Sequence, residues 1–165
     1  MNLKFYEEKL NTSKDFQKFE KENPDAYLCS IFLTIDKEGN DSQVHFDYFI
    51  PEIKAMISFQ MNSEMKMVPL ENFEEKIPEK LSIKSDIDFG EIEYMISQKM
   101  FKENIKNKIQ KIILSLHAIN GMEILTGTVF ISMMGLLKIS IDLKEKKIID
   151  FEKKSFMDMI KIIKK

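Results

Sequence analysis

The sequence predicts an α+β fold built from two helix-on-antiparallel-meander units that pack together through a long central helix. The first observation is a helical segment followed by alternating apolar runs, which occurs twice, over 13–67 and again over 88–151. The second is that an Asn-Pro or Asn-Gly stop signal ends each helical segment. The predicted division is an amino-terminal unit at 1–70, a connection at 71–85 and a carboxy-terminal unit at 86–165.

The amino-terminal unit begins with a short helix over 15–22. Thr12 or Ser13 can cap its start, and Asn23-Pro24 ends it because proline disfavours helix at the residue before it. Aromatic and β-branched runs, then apolar and polar residues in alternation, predict strands. The three predicted strands are 26–35, 44–50 and 53–59.

Alternation within the second of these strands predicts which side chains are buried. Phe46, Tyr48 and Ile50 should face the core, while His45 and Asp47 should face away. The unit is therefore expected to depend on its aromatic face for stability.

The carboxy-terminal unit is predicted to open with the central helix. Asp88 and Glu91 have the spacing of a capping box, and the helix could continue to Ile119, before Asn120-Gly121. Its apolar stripe changes side: one group is Phe89, Ile92, Ile96 and Met100, and the other is Ile105, Ile109, Ile112 and Leu116. Both stripes should be buried, either by one helix between two bodies or by two helices with a break near 101–104. Strands at 124–131, 136–143 and 148–151 follow, and Ser155 opens a last amphipathic helix.

Three segments resemble those of a known family. The closing hairpin of PepSY-type domains is similar to the segment from Leu137 to Asp142 together with that from Lys146 to Asp150. The aromatic hairpin of these domains resembles residues 45–59, and the start of their helix resembles residues 87–91. The resemblance implies a tandem of cystatin-like units, each with a helix laid across an antiparallel meander. The hairpin lacks the family's Trp and its turn lacks the usual Gly, so the fold alone is carried over and the family's association with secreted peptidases is not.

Composition excludes several classes of function. The 27 acidic and 25 basic residues nearly cancel to a net charge of −2, and every basic residue is Lys. Without arginine the chain lacks the guanidinium group, which donates two parallel hydrogen bonds to phosphates and to guanine edges. No nucleic-acid partner is therefore expected. No membrane partner is expected either, because a net charge near zero does not attract the chain to an anionic membrane and no stretch approaches the roughly 18 apolar residues of a span. Cys29 is the only cysteine, and a cytoplasmic protein without disulfides is predicted.

Candidate catalytic and metal-binding residues are few. His45 and Asp47 share the polar face of a strand, but a metal site needs three or four ligands, so a solvated or hydrogen-bonded role is predicted. His117 would lie near the end of the central helix, whose dipole favours its protonated form. Asp86, Asp88, Glu91 and Glu93 form an acidic group, but capping explains Asp88 and Glu91 and the group lacks a calcium loop, so no cation site is predicted. Phosphate-loop and nucleophile motifs are absent, and neither an enzyme nor a cofactor is predicted.

The chain is therefore predicted to be a non-catalytic binding protein. It would recognise a peptide or protein through a sheet edge or the concave face of a sheet, as in strand addition. One alternative is a small-molecule-binding protein or enzyme with a pocket between a helix and its curved sheet. Another is a nucleic-acid surface of Lys102, Lys106, Lys108 and Lys111, which more simply form a solvated helix face. The candidate partner-binding residues are Met61, Met65, Met67, Ile92, Ile96 and Met100. The methionines could instead fill core gaps, and the isoleucine stripe could instead form a homodimer.

Overall fold

A computed structural model describes residues 2–71, 76–155, 157 and 160. The fold is α+β: three helices lie on one face of a single eight-stranded antiparallel sheet. The helices are α1 (Leu3–Asn11), α2 (Lys14–Glu22) and α3 (Phe89–Lys102). The strands are β1 (Tyr27–Asp36), β2 (Gln43–Ile50), β3 (Ala55–Met61), β4 (Met65–Leu70), β5 (Ile109–Ile119), β6 (Met122–Ile131), β7 (Gly135–Asp142) and β8 (Lys147–Ser155).

The strand order is β4-β3-β2-β1-β5-β6-β7-β8. Two four-stranded meanders therefore join where β1 pairs antiparallel with β5, from Ser30 opposite His117 to Asp36 opposite Lys111. One continuous ladder of hydrogen bonds runs through both predicted units, so the sheet crosses the predicted boundary at 71–85. The outer strands among the described residues are β4 and β8.

The central helix is shorter than predicted. α3 begins at the Asp88 cap, whose carboxylate accepts from the Glu91 N–H at 3.1 Å, and it ends at Lys102. Asn104 then takes a left-handed φ of 57°, and residues 109–119 form β5. The predicted helix over 105–119 is wrong, and so is the predicted pair of helices, because β-branched residues and a period of two favour a strand there.

The Asn120-Gly121 pair is therefore a hairpin turn and not a helix stop. Ile119 pairs with Met122, and both turn residues have positive φ, 51° and 78°, which Asn-Gly adopts at low cost. Both apolar stripes are nevertheless buried: Ile96 on α3 and Ile112 and Leu116 on β5 are all 0% exposed. The expectation of burial is confirmed for most of both stripes, although the second belongs largely to a strand, and Phe89, Ile105 and Ile109 are half-buried.

The ends of the first meander also differ from the prediction. Two elements, α1 and β4, were not predicted, and β3 begins at Ala55 after a turn in which Ile53 is exposed. Ser13 caps α2, as predicted, by accepting from the Phe16 N–H at 3.4 Å. The last helix, predicted from Ser155 onwards, lies mostly outside the described residues.

One hydrophobic core fills the space between the helices and the sheet. The predicted orientation of β2 is confirmed: Phe46 and Ile50 are buried in this core and Tyr48 packs against it. Phe16 and Phe19 of α2 contact the ring of Phe59, with centroids 5.1 and 5.0 Å apart. Such aromatic contacts add to the free energy gained by burial and fix α2 on the sheet. Among the described helices, none has the length and apolar character to cross a bilayer.

The connection runs across one end of the sheet. Its Leu81 N–H donates to the Leu28 carbonyl at 2.8 Å, and Glu79 accepts from the N–H groups of Asn120 and Gly121. Glu123, a buried carboxylate on β6, accepts from the N–H groups of Lys84 and Ser85 and from the Ser85 hydroxyl. These bonds hold residues 79–85 against the sheet, although residues 76–85 form neither helix nor strand.

Candidate functional site

The two outer strands of the sheet have opposite character. β8 has five charged residues among nine, and a bulge interrupts its pairing between Ser140 and Ile141. Charges and bulges on an edge strand prevent other strands from pairing with it. β4, with the sequence MKMVPL, has one charged residue in six, and no described strand pairs with its outer side. β4 is therefore the less protected edge.

The side chains of β4 alternate between the two faces. Met65 and Met67 lie opposite Met61 and Phe59 of β3, on the face that the helices cover. Met67 is 51% exposed, because the buried core ends at β3, whereas Met65 is half-buried. Lys66, Val68 and Leu70 lie on the opposite, open face of the sheet.

The predicted partner-binding residues separate into two groups. Met65 and Met67 reach the surface at the β4 edge. Met61, Ile92, Ile96 and Met100 are at most 4% exposed, since the chain's own helices and sheet cover them. Those four residues belong to the core and are not available to a partner or to a second copy. Core filling is their role in this structure.

A polar row crosses the open face at the centre of the sheet. His117, Ser30, Asp47 and Ser58 lie opposite one another on β5, β1, β2 and β3. The Ser30 hydroxyl donates to Asp47 Oδ2 at 2.8 Å, and Asp47 Oδ1 is buried without a partner. His117 lies in a strand, so the predicted position near a helix end is wrong. The sequence could not show this row, because it depends on the register of strands far apart in the chain.

The row lacks the geometry of a nucleophilic site. A catalytic serine donates its proton to a base such as histidine, whereas Ser30 donates to a carboxylate and makes no hydrogen bond with His117. His45 lies in the next row and contacts Gln43 through Nε2 at 2.9 Å. Burial lowers the pKa of His45 below its ordinary value, and the Asp47 carboxylate opposes part of that effect. The predicted hydrogen-bonded role of His45 and Asp47 agrees with these contacts.

Other candidate groups are paired. In the acidic group, Glu91 forms an ion pair with Lys146 at 2.8 Å and Glu93 with Lys37 at 3.0 Å. Within the described part of the chain no three histidine, cysteine or acidic side chains converge as metal ligands would. Burial raises the pKa of the Cys29 thiol to about 12, so it is protonated and unreactive at neutral pH.

The predicted lysine face of the helix does not form. Lys102 lies on α3, and Lys106 and Lys108 lie in the segment after it. Lys111 lies on β5 and forms an ion pair with Asp41. The groove near the end of α3 has a volume of about 510 Å³ and is lined by Phe101, Ile105 and Asn107, among others. Between the start of α3 and Leu143 the free volume is only about 10 Å³.

Comparisons with known proteins show the fold alone. No family model matches this chain, and no curated protein does. The crystal structure of a "putative lipoprotein" from Clostridium difficile 630 is similar, with a TM-score of 0.51 over 85% of this chain and 90% of that one. The two sequences are 12% identical, so the similarity shows a shared architecture and carries no activity across.

Proposed function

We propose that this protein is a non-catalytic binding protein that recognises an extended peptide or protein segment by strand addition at β4. The observation that supports the proposal is the contrast between the two edges: β8 is charged and bulged, and β4 is apolar and regular in its pairing. Evolutionary pressure against aggregation usually protects both edges of a sheet. β4 carries two protective residues, Lys66 and Pro69, against five charged residues and a bulge on β8. The less protected edge is consistent with one that pairs with another chain.

Affinity in this mode comes from the main chain. A strand beside β4 would bond to the backbone groups that point away from β3, and Pro69 would contribute a carbonyl only. Selectivity comes from side chains on the two faces. On the helix side the added strand would contact Met67, a flexible thioether that adapts to different partners, and on the open side it would contact Val68.

The filled core favours this function over a small-molecule pocket. Ile96, Leu114 and Leu125, which lie between helix and sheet, are 0% exposed. The described grooves lie at the ends of the sheet and along the amino-terminal segment. A pocket for a small molecule between α3 and the sheet would require these side chains to move apart.

Peptide display tests strand addition directly. A library of random peptides would be selected on the immobilised full-length chain. We expect enriched peptides to alternate apolar and polar residues, and we expect Met67→Lys to weaken their binding at least tenfold, about 1.4 kcal/mol, because a lysine there must be desolvated.

Ile149→Lys on β8 is the matched control. Ile149 is 53% exposed, against 51% for Met67, and lies on the opposite edge. The control should bind the peptides as the parent does, and amide exchange in β4 should slow on binding. Peptides that bind Met67→Lys as tightly as the parent, or a selection that enriches nothing, would refute the proposal.

We further propose that the two meanders are related units of the PepSY or cystatin-like type. The symmetrical strand order and the placement of a helix before each meander support this view. An experimental structure provides the test, because α3 with β5–β8 should then superpose on α2 with β1–β4. A superposition no better than between unrelated meanders would exclude the repeat.

A further inference from the structure

Two methionines form the most exposed apolar feature at one end of the sheet. Met133 and Met134 lie in the turn between β6 and β7 and are 90% and 61% exposed. Both have left-handed backbones, with φ of 62° and 57°. Side chains other than those of glycine, asparagine and aspartate rarely adopt this conformation, because the Cβ atom approaches the following carbonyl.

The same protein contains a turn that avoids this strain. Between β5 and β6, consecutive positive φ values occur at Asn120 and Gly121, which tolerate them. Met133 and Met134 thus hold an unfavourable backbone while presenting apolar side chains to water. The hairpin turn accounts for the positive φ values, but asparagine or glycine would adopt them at lower cost, and the two methionine side chains are not packed. The choice of methionine at both positions is therefore evidence for a role at the surface.

An exposed phenylalanine lies at the same end of the molecule. Phe101, at the end of α3, is 81% exposed and lines the 510 Å³ groove together with Asn107. The Asn107 amide donates to the carbonyl of Ser132 at 2.8 Å, and Ser132 is the residue before Met133. Asn107, which lines the same groove as Phe101, is thus bonded to the residue next to the methionine turn.

Unpaired lysines surround these apolar side chains. Lys102, Lys106 and Lys108 are exposed, and they make no ion pair with any residue that the structure describes. Lys108 is bound through its backbone to Ser132, at 2.8 and 2.9 Å. The carboxylates beside these lysines are already engaged, since Glu103 pairs with Lys99 at 3.1 Å and Glu93 pairs with Lys37 at 3.0 Å. The three lysines therefore leave uncompensated positive charge here, although the whole chain carries −2.

We propose that this end, defined by Phe101, Met133 and Met134 with Lys102, Lys106 and Lys108, docks onto an anionic lipid surface. Apolar side chains on a rigid tip can enter the region between headgroups and acyl chains, and lysines around them are attracted to acidic headgroups. The proposal is independent of strand addition at β4 and departs from the expectation, drawn from net charge, that no membrane is bound.

Charge and area favour lipid over a protein partner or a second copy. Three exposed side chains of about 200 Å² each supply less than the roughly 800 Å² per partner that a stable protein interface buries. A bilayer surface needs no matching shape, and weak, reversible docking suffices there. Three unpaired lysines would repel one another in a symmetric dimer that placed them face to face.

A tryptophan reporter makes the test specific, because the chain contains no tryptophan. Full-length Phe101→Trp would be mixed with vesicles of phosphatidylcholine alone or of phosphatidylcholine with phosphatidylglycerol. We expect a blue shift of its emission, and quenching by nitroxide-labelled lipids, with the anionic vesicles only. Ile53→Trp, at an exposed turn (66%) on the opposite end of the sheet, should show neither effect.

Two sets of variants separate apolar insertion from charge attraction. In vesicle flotation, M133N/M134G copies the unstrained turn and should lower the bound fraction at least tenfold, and so should K102E/K106E/K108E. Added salt should release the parent. The proposal fails if the parent does not float with anionic vesicles, if M133N/M134G floats equally well, or if sedimentation shows a dimer that M133N/M134G converts to monomer.

Discussion

Burial decides the effect of a charge at Phe46. Its ring is 1% exposed in the core beside β3, and β1 and β3 flank its strand. Phe46→Asp places an unpaired carboxylate there, which costs several kcal/mol against a total stability of roughly 5–15 kcal/mol. We expect loss of the cooperative thermal transition followed by circular dichroism. Lys66→Asp, on an exposed edge position, should stay within about 0.5 kcal/mol of the parent. A Phe46→Asp variant that melts as the parent does would contradict the assigned face.

Left-handed methionines should make the β6–β7 turn a source of instability. A non-glycine residue in this conformation costs about 1–2 kcal/mol, which Asn and Gly largely avoid. M133N/M134G should therefore raise the free energy of unfolding by about 1–3 kcal/mol, which is measured as a higher midpoint of urea unfolding. The reverse exchange, N120M/G121M, should lower it by a similar amount. A destabilised M133N/M134G would show that the methionines pack better than their exposure indicates.

At the scale of elements, the pattern of the chain predicts most strands and misassigns one. β1 follows from its aromatic and β-branched run and β2, β6 and β7 from alternating apolar residues, and the bounds of all four agree within a few residues. β5 was predicted as helix because Ile105, Ile109, Ile112 and Leu116 also fit a helical spacing. Ile112, Leu114 and Leu116 recur at every second position in a β-branched run that ends at Asn-Gly, and this is the signal that identifies a strand. β4 was not predicted, since its six residues carry a proline and little alternation.

The pairing of β5 with β6 depends on a glycine. A Cβ atom on Gly127 would lie 2.0 Å from the Ile113 carbonyl oxygen, a backbone atom that cannot move without breaking the ladder. We expect Gly127→Ala to cost more than about 3 kcal/mol, in the range of severe overpacking. Gly121→Ala, where a Cβ meets no atom within 4 Å but φ is 78°, should cost about 1 kcal/mol. Urea unfolding of both variants checks the order, and equal costs would contradict the close β5–β6 approach.

At the scale of the molecule, the candidate surfaces lie where sequence alone could not place them. Met67 lies at an edge only because β4 ends the sheet. Met133 lies at the same end of the sheet as Phe101, where Ser132 bonds to Asn107. Four of the six predicted contact residues are core residues, since apolar stripes look alike whether the chain or a partner covers them. Long-range pairing, rather than local pattern, assigns each apolar residue to the core or to the surface.

The β1–β5 ladder makes the whole sheet one cooperative unit in our interpretation. β1 and β5 lie at the centre of the sheet and pair on both sides, whereas β4 and β8 pair on one side only among the strands that the structure describes. Amide exchange should therefore be slowest in β1 and β5, at similar opening free energies, and should become faster outward in both directions. Two independently stable units would give a different result: amides of β1–β3 and of β5–β7 would form two blocks with separate opening free energies. Native-state exchange across a urea series distinguishes the two cases, because residues that open together converge on a common free energy and slope.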